Sequence, residues 1–129
     1  MAGDIVMESS RIDGCVVLVL EDEPLVGLEI AELLSSAGAQ VKLAGTLADA
    51  MASVDGLKIS AAIVDINLGG QDCSVLCTRL SQRRIPFVFY TGYTAAPDGW
   101  STVPIISKPA SGELIVKTIE RLCRSHQAA

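Results

Sequence analysis

The chain has 129 residues and a net charge of −5; half of it is hydrophobic and 19% is charged. That composition describes one globular domain with a sizeable core and excludes a disordered chain. Without a local basic patch, the acidic balance also argues against binding nucleic acid or anionic membranes.

Residues 1–13 read as a polar N-terminal tail, 14–125 as the domain and 126–129 as a C-terminal tail. Val16 to Leu20 is a short run rich in β-branched residues, as expected of a strand buried on both faces. A helix follows, with Pro24 in its first turn, Val26, Ile30, Leu33 and Ala37 on one face, and Gly38 as its stop. Val41 to Ala44 is the second strand. Thr46 is placed to cap a helix carrying Leu47, Ala50, Met51 and Val54, which ends before Gly56. Ala61 to Val64 is the third strand, and Gly69-Gly70 breaks the chain after it. Asp72 caps a helix with Cys73, Leu76, Cys77 and Leu80 on its apolar face. Phe87 to Tyr90 is the fourth strand and Ile105-Ile106 a short fifth. Ser111 caps the last helix, whose stripe is Leu114, Ile115, Thr118, Ile119 and Leu122.

The crossover before the fifth strand breaks the rhythm. Thr91 to Val103 contains Gly92, Pro97, Gly99 and Trp100, with Pro104 just after, and Pro97-Asp98-Gly99 is turn chemistry. A loop is expected where a fourth helix would stand, with Trp100 and Tyr93 as partial cover for the sheet edge. Strands alternating with helices give an α/β, doubly wound parallel sheet.

Cys15, Cys73, Cys77 and Cys123 have no CxxC spacing, and His126 cannot complete a zinc set. They read as small core residues. The longest apolar run, Cys15–Leu20, is far short of the roughly 20 residues a membrane helix needs. The start of the chain lacks a signal-peptide pattern, so a cytoplasmic protein is expected.

In open α/β sheets, ligands bind beyond the carboxyl ends of the strands. Here strand one ends in Glu21-Asp22-Glu23, strand three in Asp65, strand four in Thr91 and strand five in Ser107-Lys108. Two carboxylates ~5 Å apart repel by about 3 kcal/mol at an effective dielectric of ~20, so a positive group is needed among them. Oxygen-only ligands favour magnesium. A lysine and a hydroxyl converging on the same edge complete the parts that phosphoryl transfer to a carboxylate requires.

Singly, Asp22 reads as a helix cap, Asp65 as a solvated strand end, Thr91 as a turn residue and Lys108 as an exposed charge. Together, Glu21-Asp22, Asp65, Thr91-Gly92 and Lys108-Pro109 at successive strand ends resemble the receiver domain of bacterial two-component systems, over residues 15 to 124. The resemblance implies a flavodoxin-like five-stranded sheet of order 2-1-3-4-5 and a cis Lys108–Pro109 bond. It also implies that Asp65 is the phosphoryl acceptor, with Thr91 hydrogen-bonding the phosphoryl group and Lys108 pairing with it. Asp22, Asp65 and the backbone carbonyl of Asn67 would bind Mg2+, with Glu21 acting mostly through water.

The chain departs from the family pattern at three places. Glu21 replaces the usual Asp. Ile105 stands where an aromatic residue usually reports phosphorylation, and Gly69-Gly70 stands where many receivers have Pro. Phe87-Val-Phe-Tyr-Thr-Gly-Tyr93 is similar to the signature of the FAT GUY group: Phe89, Thr91, Gly92 and Tyr93 fit, while Tyr90 and Thr94 depart. That group replaces the fourth helix by a loop and is linked to sensor kinases of the HWE type.

With no output domain read in the chain, a stand-alone switch is expected, phosphorylated by a sensor histidine kinase as the resemblance implies, and acting through a downstream protein partner, as a relay intermediate to a phosphotransfer protein, or as a phosphate sink. The interacting face would be the loop before the fifth strand, that strand and the last helix. An alternative is a magnesium-dependent aspartyl phosphatase, but that chemistry wants a second acid two residues after the nucleophile, where this chain has Asn67. A flavin carrier wants a hydroxyl- and glycine-rich phosphate loop where this chain has Glu-Asp-Glu.

Overall fold

The computed structural model describes residues 11–68, 71–92 and 96–128. In chain order these form β1 (Val16–Leu20), α1 (Pro24–Ser36), β2 (Gln40–Ala44), α2 (Leu47–Gly56), β3 (Ala61–Val64), α3 (Ser74–Gln82), β4 (Phe87–Thr91), β5 (Ile105–Ser107) and α4 (Gly112–Ala128). The strands are all parallel, in the order β2-β1-β3-β4-β5. This is the expected doubly wound arrangement. Gly69-Gly70, Tyr93, Thr94 and residues 1–10 of the expected N-terminal tail lie outside the described residues.

Successive strand side chains point to opposite faces, so a sheet covered on both sides needs apolar residues at every position. Val17 and Val19 of β1, Ile63 of β3 and Val88 and Tyr90 of β4 enter the layer closed by α1 and α4. Leu18, Leu20, Val64, Phe87 and Phe89 enter the layer closed by α2 and α3. All four cysteines are buried free thiols within these two layers.

The helix starts follow their caps. Pro24 occupies the first turn of α1. Thr46 Oγ1 accepts the Asp49 N–H at 3.1 Å, Asp72 accepts the Ser74 N–H at 2.9 Å and Ser111 Oγ accepts the Leu114 N–H at 3.1 Å. Each satisfies a backbone donor that the first helical turn leaves open. Gly38 follows α1 with φ +108°, a conformation that glycine adopts without steric cost.

Between β4 and β5 the described residues 96–104 contain turns and no helix. The Trp100 N–H donates to Pro97 O at 3.0 Å across a turn with Gly99 at φ +90°. Trp100 packs edge-on to Phe87, ring centroids 5.9 Å apart, and so covers the sheet where a helix would otherwise lie.

Five expectations need correction. The N-terminal tail does not extend to residue 13: Ile12 is only 2% exposed, and its N–H donates to Ala37 O at 3.0 Å. Arg11 bonds Glu113 and Glu120 of α4, each at 2.9 Å. Burying an isoleucine gains about 1.5–3 kcal/mol, which together with the hydrogen bond to Ala37 and the Arg11 ion pairs offsets the cost of ordering this short segment. The C-terminal tail does not begin at 126, because α4 continues to Ala128. The stripe of α4 is also rotated: Leu114 is 48% exposed, and Val116 and Cys123 are buried beside Ile115 and Ile119. In α1, Leu34 rather than Leu33 is the fully buried leucine, and α2 includes Gly56.

Candidate functional site

The site follows from strand register. Leu20 of β1 pairs with Val64 of β3, so the next residues, Glu21 and Asp65, emerge side by side at the carboxyl edge of the sheet. Both carboxylates are sunk into that edge, 3% and 2% exposed, while Asp22 is exposed. Oxygens of Glu21, Asp22 and Asp65 all lie within 4.8 Å of one another. On the other flank, Thr91 ends β4 fully buried and pairs in register with Ser107 of β5. The Lys108 N–H donates to Thr91 O at 2.8 Å, which brings the lysine to the same edge. The Lys108–Pro109 bond is cis.

Each buried carboxylate uses its two oxygens differently. Glu21 Oε1 accepts the Glu23 N–H and Asp65 Oδ1 accepts the Asn67 N–H, both at 3.1 Å. Lys108 Nζ donates to Glu21 Oε2 at 2.8 Å and to Asp65 Oδ2 at 3.1 Å. Burial pushes the Glu21 carboxyl above its ordinary range; hydrogen bonds from Lys108 and the Glu23 N–H oppose this, and the Asp65 charge adds to it. Burial disfavours the Lys108 ammonium, but hydrogen bonds and charge from Glu21 and Asp65 outweigh it and raise its pKa. Three carboxylates against one ammonium leave excess negative charge at a site whose donors are hard oxygens. Such a set fits magnesium.

Asp65, Asn67, Lys108, Glu23 and Gly92 line a cleft of about 300 Å³ open to solvent. The structure therefore gathers Glu21, Asp22, Asp65, Asn67, Thr91 and Lys108 at one sheet edge. Two contributors escaped the sequence reading. Glu23 supplies a backbone donor to Glu21, and Tyr90 lies beneath Lys108, its ring centroid 5.4 Å from Nζ. Strand parity could have found Tyr90, because it pairs with Ile106 and Lys108 lies two residues further along the same face.

Residues 17–120 match the family model of the response regulator receiver domain. The chain is 33% identical over 90 residues to the transcriptional regulatory protein TcrA of Mycobacterium tuberculosis, covering 68% of this chain and 36% of that protein. It is 32% identical over 91 residues to the sensor protein TorS of Escherichia coli, covering 70% of this chain and 10% of TorS. The chain thus spans only part of these relatives. Among solved structures, a CheY-like response regulator receiver domain protein from Methanospirillum hungatei superposes with TM-score 0.79 at 17% identity, covering 88% of this chain and 97% of that one. The N-terminal domain of a response regulator/sensory box/GGDEF three-domain protein from Carboxydothermus hydrogenoformans gives TM-score 0.78 at 26% identity, with coverage of 88% and 97%. No helix among the described residues is long and apolar enough to cross a membrane.

Proposed function

The chain belongs to the response regulator receiver domain family of two-component systems, and on that premise we propose that it accepts a phosphoryl group from a sensor histidine kinase on Asp65. The supporting observation is the Lys108 ammonium held between Asp65 and Glu21 at the ends of two adjacent parallel strands. An Asp65 carboxylate oxygen attacks phosphorus, an O–P bond forms, and the P–N bond to the kinase histidine breaks with its electron pair going to the imidazole nitrogen. Formation of the acyl phosphate removes the Asp65 carboxylate charge, and the phosphoryl oxygens give Lys108 a new anionic partner. The Thr91 hydroxyl would donate to another of those oxygens. Asp22, Asp65, the Asn67 carbonyl and, through water, Glu21 would hold the magnesium ion, which supplies charge neutralisation for the phosphoryl oxygens.

Family members act as signalling switches, and we read this chain as a phospho-acceptor that at most catalyses its own phosphorylation and dephosphorylation. The signal would pass through the loop before β5, β5 and α4 to a downstream protein or a phosphotransfer protein in the cytoplasm. The helix-free stretch over residues 96–104 supports a likeness to the FAT GUY group, and with it a kinase of the HWE type. Intact-mass measurement after incubation with a small phosphodonor and magnesium tests the reading. The wild-type protein should gain one phosphoryl group and the Asp65→Asn variant none; catalytic turnover of the donor without a labelled protein would favour the phosphatase alternative.

A further inference from the structure

We infer that Tyr90 is a positioning residue for Lys108, its ring face holding the ammonium at the carboxylate edge; this rests on the acceptor reading above. Tyr90 belongs to β4, pairs with Ile106 of β5, and turns into the layer closed by α1 and α4. Lys108, two residues beyond Ile106, leaves the sheet on the same face. Its Nζ stands 5.4 Å from the Tyr90 ring centroid, within the reach of a cation–π contact.

An ammonium has three donors, and Glu21 and Asp65 occupy two of them. The lysine stem is long and flexible, so without a further support the head group samples solvent as well as the site. The ring supplies that support from the buried side, since Tyr90 is itself buried. The Tyr90 hydroxyl also accepts the Ala110 N–H, but at 3.5 Å that contact is at the long limit of a hydrogen bond. The ring, not the hydroxyl, therefore carries the effect.

This assignment gives a graded expectation. Tyr90→Phe keeps the ring face and should behave as wild type. Tyr90→Leu removes it and should slow phosphorylation by a small phosphodonor by about 3- to 10-fold at saturating magnesium, the scale of a partly desolvated cation–π contact. The decisive readout is spectroscopic. In the unphosphorylated protein, the Lys108 ε-methylene protons should show a ring-current upfield shift that persists in Tyr90→Phe and vanishes in Tyr90→Leu. Tyr90→Met, which fills much of the volume without a π face, repeats the comparison if the leucine variant does not fold. An unchanged Lys108 shift in a ringless variant, a ringless variant phosphorylated at the wild-type rate, or Tyr90→Phe as impaired as Tyr90→Leu would each overturn the assignment. Failure of the wild-type protein to be phosphorylated at all would instead sink the acceptor reading, while the proton shift still decides the role of Tyr90.

Discussion

Glu21 and Asp65 follow directly on the register-paired residues Leu20 and Val64, and they share one counter-charge: Lys108 Nζ lies 2.8 Å from the first and 3.1 Å from the second. Parallel pairing thus forces together two acidic side chains that would repel each other by about 3 kcal/mol at an effective dielectric of ~20. Lys108 offsets part of this repulsion, and Asp22 adds to it from the exposed side.

Magnesium should therefore stabilise the fold. An ion bound only by the folded state adds about 2.7 kcal/mol at a hundredfold excess over its dissociation constant, which raises Tm by several degrees. Thermal melts with chelator and with magnesium check this. The shift should shrink in Asp22→Asn and Asp65→Asn, and equal melting temperatures in both buffers would remove the ion from the account.

Glu21 should give the metal-free protein an unusual pH dependence. Burial raises its carboxyl above the ordinary 4.5, so the folded state holds that proton more tightly than the unfolded state does. Its contribution favours folding at low pH and is lost as pH rises from about 4.5 through the higher folded value. Urea midpoints in chelator should show the difference between wild type and Glu21→Gln moving against wild type from about pH 5 to pH 7. Lys108 works at the other end. Its pKa is raised despite burial, because Glu21 and Asp65 favour the charged form. That stability is present below 10.5 and lost only as pH climbs through the folded value above it.

Ile12→Ala should destabilise the protein by about 2–4 kcal/mol, the usual cost of a large-to-small change at a fully buried site. Arg11→Ala should matter less, because its pairs with exposed Glu113 and partly buried Glu120 lie at the surface, where an ion pair contributes about 0–1 kcal/mol. Chemical denaturation of the two variants checks the order; equal effects would mean that the segment is held by its charges rather than by its apolar contact.

These cases also show what the sequence made legible. Runs such as Val16 to Leu20 marked the strands, because β-branched residues in unbroken apolar stretches suit a sheet buried on both faces. Thr46 and Ser111 marked helix starts because their oxygens accept early helical N–H groups. The site was legible through order: acids after the first and third strands, a hydroxyl after the fourth and a lysine after the fifth. Ile12 was not, because three residues carry no periodicity and its burial depends on Ala37 and α4. The α4 stripe was misjudged because Leu114 and Ile115 are both apolar at workable spacings, and only the packing of the helix on the sheet selects the face carrying Ile115, Val116, Ile119 and Cys123 and turns Leu114 outward. Tyr90 was missed because its contact with Lys108 depends on the pairing of β4 with β5.

The stretch before β5 should be the part that responds. Its described residues have turn bonds, such as Val103 N–H to Trp100 O at 3.1 Å, in place of a helical ladder. Such segments open locally at low cost. With Ile105 where an aromatic reporter usually stands, ordering of this stretch is the expected response. Hydrogen exchange should be fast at Asp98, Gly99, Ser101 and Thr102 before phosphorylation and slower after it. Strong protection beforehand, or no change afterwards, would assign the response elsewhere.

The identity of the acceptor tests the whole account most directly. Reduction of the phosphorylated protein with borohydride converts an aspartyl phosphate to homoserine, and peptide mass spectrometry then locates it. The account predicts homoserine at residue 65, only after treatment with both phosphodonor and magnesium. Homoserine at any other position, or a phosphorylated protein in which residue 65 remains aspartate, would contradict it.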